Sequence, residues 1–415
     1  MKNKQDYYEL LSVDKSFSKS KIIKAYESLA KKYHPDNNLN IENEFLMITE
    51  AAIVLTDKKK KKLYDEGGFE KLYGQDLQNY APPTYNEALE FLQNKRLSKN
   101  NEIKNQNFKD FQDKYYGLSN EFKFNSLNWR TDGMIFIFST LFIPLICCLI
   151  AKILFPATDS SASALQMIYI ISASIGALAL ITIHKGGYFK YGYAWQFLFI
   201  VIPLLAILLG IVFSSINKDI LNMLANLIPK LVLLVLIVVI DKRLIKRIIE
   251  TIKKQWKPLI ITVVVGFILM ILIGTFFSSV IEGLLFKLPE SKNQESLKGL
   301  LDNADIGMGY KVVYALLLFM YSVIVAPFVE EVAFRNAYFL NVSNKWLAFV
   351  TSSIAFGFIH YGFTGDFSHA LSYSAGAFVL GGIFVWTKGN VTHTWLIHFA
   401  NNLFAIILLF SSVNW

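Results

Sequence analysis

The chain has 415 residues, of which 53% are hydrophobic and 18% charged, with a formal net charge of +9 and a mean hydropathy of +0.38. That balance excludes an ordinary soluble domain and points to the membrane. The only cysteines, Cys147 and Cys148, are neighbours in an apolar stretch, which excludes a disulfide framework and a four-cysteine zinc site. Much of the positive charge lies in one juxtamembrane run, so it argues for a membrane surface rather than nucleic acid.

The first 130 residues are polar and hold no apolar core segment, so no cleavable signal peptide is expected and the N-terminal part is placed in the cytoplasm. Asp6 to Leu11 reads as a short helix. Ser18 or Ser20 can cap a second helix to about Tyr33, with Ile22, Ile23, Tyr26, Leu29 and Ala30 at helical spacing. A third, near Glu42 to Leu55, sets Phe45, Ile48, Ala52 and Leu55 on one face. Two antiparallel helices with a polar turn between them are expected, and the turn contains His34-Pro35-Asp36. Lys21, Lys24, Lys31 and Lys32 give the second helix a cationic face suited to an acidic partner surface.

These residues resemble a J-domain, the module by which DnaJ-type co-chaperones stimulate a DnaK-type heat-shock ATPase. The likeness runs from Asp6 to about Gly68 through DYYELL, KIIKAYESLAKKYHPDNN, FLMITEAAIVLTD and KKKKLYDEGG, with Ser12 where glycine is usual and Lys58 where proline is usual. It implies that His34, Pro35 and Asp36 drive the partner's ATP hydrolysis. No glycine/phenylalanine-rich segment or cysteine-based zinc module follows, so the head (1–72) reads as a localising J-domain without a client-binding apparatus.

Residues 73–130 form a polar, asparagine-rich linker broken at Pro82-Pro83, with short amphipathic helices expected at Tyr85–Gln93 and Phe108–Tyr116. Apolar runs of spanning length follow near 134–155, 163–183, 195–213, 220–240, 259–281, 312–340, 346–360, 371–387 and 395–413, giving about eight or nine crossings. Backbone groups in lipid must be satisfied internally, so the expected fold class is all-α: a small antiparallel helical head followed by a polytopic bundle, with N-terminal membrane helices at 131–307 and a core at 308–415. The stretch Asp241 to Lys257 holds seven basic residues and is expected on the cytoplasmic side.

Three motifs stand out after Val312. In Glu330-Glu331-Val332-Ala333-Phe334-Arg335, Glu331 and Arg335 are i,i+4 neighbours in the favoured direction, whereas Glu330 points about a quarter-turn away and lacks that partner. Phe356 to His360 ends an apolar helix in an imidazole, and His398 and Asn402 share a helix face across one turn. Charges at membrane depth are costly and mark function by default. The three motifs resemble the CPBP family of CAAX proteases and bacteriocin-processing enzymes, also called abortive-infection proteins, whose pattern is EExxxR, FxxxH and HxxxN. The resemblance covers about Met308 to the C-terminus. It implies an intramembrane glutamic endopeptidase acting on membrane-associated peptides or proteins of the CAAX-like or bacteriocin-leader type, and the lysine- and asparagine-rich composition points to a bacterial cytoplasmic membrane.

In that chemistry Glu330 is the base for water, held in an apolar site. His360 positions the water or shuttles its proton, and His398 and Asn402 donate to the oxyanion. Arg335 holds Glu331 or attracts a substrate carboxylate. No cofactor is expected. Zinc is the competing chemistry, since two histidines and a carboxylate form a familiar catalytic set, but no HExxH helix is present. The alternative reading is a non-proteolytic, membrane-anchored co-chaperone or self-immunity factor.

Overall fold

The computed structural model describes residues 6–34, 42–74, 82–154, 159–185, 187–189, 192–206, 218–289, 291, 301, 306–363 and 365–413. The fold is all-α, in two compact units, Met1–Phe111 and Gln112–Trp415.

In the first unit α1 (Tyr7–Leu10), α2 (Lys19–Lys32), α3 (Glu42–Thr56) and α4 (Lys58–Tyr73) enclose one core. Ile22, Tyr26 and Ala30 face Phe45, Ile48, Ala52 and Leu55, as the helical spacing predicts, while Lys21, Lys24, Lys31 and Lys32 stay exposed. Ser18 occupies the N-cap position of α2. Ser12 sits at φ 51°, a left-handed conformation that explains why glycine is the usual residue there. The linker differs from the expected pair of short helices. It is one helix, α5 (Tyr85–Tyr116), started by a capping box in which Thr84 N and Glu87 Oε2 lie 2.8 Å apart. Ala88 and Leu92 are buried in the first unit's core, so its opening turns are packed rather than solvated.

The second unit holds nine apolar helices among the described residues: α6 (Trp129–Leu154), α7 (Ala164–Ile183), α8 (Trp195–Leu204), α9 (Asp219–Ile240), α11 (Trp256–Leu285), α12 (Met308–Val342), α13 (Lys345–Tyr361), α14 (Phe367–Trp386) and α15 (Val391–Ser412). An amphipathic helix, α10 (Lys242–Lys254), lies between α9 and α11. All but α8 and α13 are long and apolar enough to cross a membrane. Ile175, Val239, Ile261, Leu316 and Leu408 are more than half exposed on the outer surface, an apolar belt that water would not tolerate and lipid would.

Hydrogen bonds gather the connections at one end. Arg247 Nε donates to Asn120 O (3.0 Å), Leu127 N to Ser343 Oγ (2.9 Å), Asn390 Nδ2 to Thr251 Oγ1 (2.8 Å), Trp195 Nε1 to Asp241 Oδ2 (2.8 Å) and Lys388 Nζ to Glu121 Oε1 (2.7 Å). Lys185, Lys345 and the seven basic residues from Lys242 to Lys257 lie at this basic end. Successive helices alternate between this basic end and the opposite one, whose connections carry fewer basic residues, among them Lys287, Lys292 and Lys298 between α11 and α12.

Candidate active site

The site begins with Pro327. It has no N–H, so it cannot close the helical ladder of α12. The preceding turn, Met320–Val325, widens into π-helix, in which Ala326 N donates to Tyr321 O five residues back. In that register the N–H absent from Pro327 would have reached Ser322 O. Asn402 Nδ2, from α15, donates to that carbonyl instead, at 2.8 Å. A second π segment, Val332–Ala337, follows. Such bulges re-aim side chains within a continuous helix and concentrate at functional sites. The helix passes Pro327 and runs to Val342, so both carboxylates lie well inside the span: Glu330 is twelve residues before Val342, about 18 Å at ~1.5 Å per residue.

The two carboxylates differ in environment. Glu331 is fully buried: Arg335 Nε lies 3.4 Å from its Oε2 and His398 Nδ1 3.3 Å from its Oε1. Arg335, also fully buried, donates from Nη1 to Ser352 Oγ (3.1 Å) on α13 and from Nη2 to Ala377 O (3.3 Å) on α14, with its guanidinium 5.0 Å from the centre of the Phe356 ring. The Glu331–Arg335 pair thus fastens three helices. Glu330 instead faces a cavity of about 380 Å³ between α11, α12, α13, α14 and α15, whose walls include Tyr321, His360, Tyr373, His398 and Asn402. Its Oε1 accepts from Lys230 Nζ at 2.7 Å, and Lys230 also donates to Tyr321 Oη at 3.0 Å. Glu330 does not share Arg335 with Glu331; its cationic partner, Lys230, comes from α9, outside the motif region.

His360 reaches the cavity because α13 packs closely on α14 at Gly357, where a Cβ would come within 2.4 Å of Ser374 Oγ. Its ring stacks on Tyr373 at 5.4 Å and 6°. The structure brings Glu330, His360, His398 and Asn402 to one cavity and sets Glu331 and Arg335 behind it. Among the described residues no three His, Cys, Asp or Glu side chains are grouped closely enough to hold a metal ion. In the head, the His34 ring packs 5.6 Å from Phe45, while Pro35 and Asp36 lie outside the described residues. The residue that sequence reasoning missed is Lys230, although the signal existed: it is the only charge between Ile220 and Ile240, and the depth argument that marks Glu330 applies to it equally.

The fold and cavity define a bundle of helices long and apolar enough to cross a membrane, with a buried polar site, in a chain that begins with a small helical head. Two family models match the chain: the DnaJ domain over residues 6–65, and the type II CAAX prenyl endopeptidase Rce1-like family over residues 312–404. The chain thus carries a DnaJ domain and a Rce1-like CAAX protease domain. A protein of Mycoplasma capricolum subsp. capricolum, described only as uncharacterized, is 29% identical over 309 residues, covering 70% of this chain and 90% of its own length. The chaperone proteins DnaJ of Nitratiruptor sp. and Mycoplasmoides gallisepticum are 41% and 47% identical over 91 and 74 residues, which cover 21% and 17% of this chain. The chain spans only 24% and 19% of the length of those two relatives. No solved structure matches.

Proposed function

We propose that the protein is an intramembrane endopeptidase of the bacterial cytoplasmic membrane whose cytoplasmic J-domain recruits a DnaK-type ATPase. The observation that carries the reading is the division of labour between adjacent carboxylates: Glu331 is consumed by Arg335 and His398, whereas Glu330 faces a cavity with His360 on its wall. In this mechanism Glu330 Oε2 takes a proton from water as its oxygen attacks the scissile carbonyl, and Lys230 keeps Oε1 occupied so that the carboxylate stays oriented. His360 holds the water. His398 turns Nδ1 to Glu331 Oε1 at 3.3 Å, which leaves Nε2 for the oxyanion, to which it donates as the imidazolium with both ring nitrogens protonated. Asn402 fixes the bend at Ser322 and has its second amide proton for the same oxyanion. The proton on Glu330 then passes to the leaving amine. No step requires a metal, and activity that survives a strong chelator in detergent is the expected result.

The seven basic residues from Lys242 to Lys257 support a cytoplasmic basic end and, with it, a cytoplasmic head. The paired test compares cleavage of co-expressed membrane peptides by wild type, Glu330→Ala and His34→Gln. Loss of the base should reduce turnover about 10²- to 10⁴-fold. Retention of every phenotype by Glu330→Ala would sink the protease reading. An effect of His34→Gln alone would favour a membrane-anchored co-chaperone.

A further inference from the structure

The helix α10 is joined to α9 and α11 by one residue on each side, Asp241 and Gln255, so it is held at the level where those two long apolar helices end. At ~100° per residue its surface divides into three sectors. Leu244, Arg247, Ile248 and Thr251 are buried against the bundle. Ile249 and Ile252 are 45% and 48% exposed, with the half-buried Ile245 beside them, and Trp256, the first residue of α11, is 53% exposed. Lys242, Lys246 and Lys253, all exposed, form the row that borders this apolar stripe.

The row is not neutralised from within. Among the described residues Lys242, Lys246 and Lys253 make no ion pair, and Lys242 Nζ reaches one carbonyl, Val238 O, at 3.5 Å. The single acid of α10, Glu250, accepts from Ser119 Oγ at 3.0 Å and lies 3.7 Å from Lys254 Nζ. Asp241 is taken up by Trp195 Nε1 and the Leu244 N–H. An exposed apolar stripe bordered by lysines is the geometry of a helix lying where acyl chains meet phosphates, and it selects an anionic surface over a zwitterionic one. The buried sector leads inward to both helices that carry the candidate catalytic set. Arg247 Nη1 donates to Asn336 Oδ1 at 3.4 Å, next to Arg335 on α12. Thr251 Oγ1 accepts from Asn390 Nδ2, whose own Oδ1 caps α15 by accepting Thr392 N–H at 3.1 Å.

We infer that α10 is a docking surface for anionic phospholipids, with phosphates on Lys242, Lys246 and Lys253 and acyl chains along Ile245, Ile249 and Ile252, and that its occupancy holds α12 and α15 in the cleaving arrangement. Docking needs only that the bundle sits in a membrane; the effect on cleavage rests on the proteolytic reading above. A soluble partner would have to displace lipid from isoleucines at the level where α9 and α11 end, whereas a phospholipid satisfies the stripe and the lysines at once.

The test uses the full-length protein in an uncharged detergent with added phosphatidylglycerol, phosphatidylcholine or soluble glycerol 3-phosphate. Phosphatidylglycerol should raise Tm by several degrees and kcat severalfold, and the other two should do neither. Lys242→Gln with Lys246→Gln and Lys253→Gln should raise the phosphatidylglycerol content needed for half the Tm shift about tenfold or more, at about fivefold per lysine. Lys185→Gln with Lys345→Gln, which removes charge from the same end but not from α10, should leave that content nearly unchanged. An equal response to phosphatidylcholine, or an undiminished one in the triple variant, overturns the docking surface. A Tm shift with glycerol 3-phosphate alone overturns the lipid in favour of a free-phosphate site. A Tm shift without any change of kcat in a cleaving protein overturns the link to α12 and α15. Tm needs no turnover, so docking is read apart from the protease reading, which Glu330→Ala reports.

Discussion

Pro327 and Asn402 form a single unit although 75 positions separate them. The proline removes a donor, the helix widens, and the stranded Ser322 carbonyl is met by an amide from another span. Asn402→Ala should therefore leave a buried carbonyl unmet, at a cost of about 1–3 kcal/mol. In a Pro327→Ala background, where a backbone N–H is restored, the same substitution should cost clearly less. Thermal unfolding of the four proteins in detergent checks this, and equal losses in both backgrounds would refute the coupling. Lys230 and Glu330 make a second pair with a similar logic. Removing one partner of a buried pair costs about 3–5 kcal/mol, because the other charge is left unpaired. Lys230→Met should destabilise the protein and lower kcat, Lys230→Arg should recover part of both, and Lys230→Met with Glu330→Gln should recover stability but not activity.

At the level of elements, the membrane helices were legible from length and apolarity, and their ends agree with the expected runs within a few residues for most. The count of eight or nine corresponds to seven full-length spans with the shorter α8 and α13. α13 shows why a short helix suffices: Gly357 lets it lie against α14 and deliver His360 from its end. Gly357→Leu should push the two helices apart and lower cleavage by at least tenfold while the protein stays folded, which activity and size-exclusion elution together measure. The single helix of the linker is hard to read from the sequence because periodicity in a polar stretch is weak. Its capping box, Thr84 with Glu87, was the better signal. In the head, Ser12 pays for a left-handed backbone, so Ser12→Gly should stabilise α1 by about 1 kcal/mol, seen as slower amide exchange of Tyr8 and Leu11 in the full chain.

For the molecule as a whole, the prediction concerns charge. The exposed Lys21, Lys24, Lys31 and Lys32 face should steer an acidic ATPase surface, so reversing Lys24 and Lys31 to glutamate should weaken stimulation of a DnaK-type ATPase and flatten its salt dependence. Cleavage by the purified protein should be unchanged. The sequence by itself determined the helical class, because apolar runs and periodicity are local and survive without a fold; the J-type head and the candidate set Glu330, His360, His398 and Asn402 came from motifs that resemble known families. It also separated Glu331 from Glu330, since an i,i+4 pair is a property of one helix. Only the tertiary structure decided what Glu330 touches and why Asn402 is needed. Each of those depends on helices that meet across tens to hundreds of residues, where a side chain's partner is set by packing rather than by its neighbours in the chain.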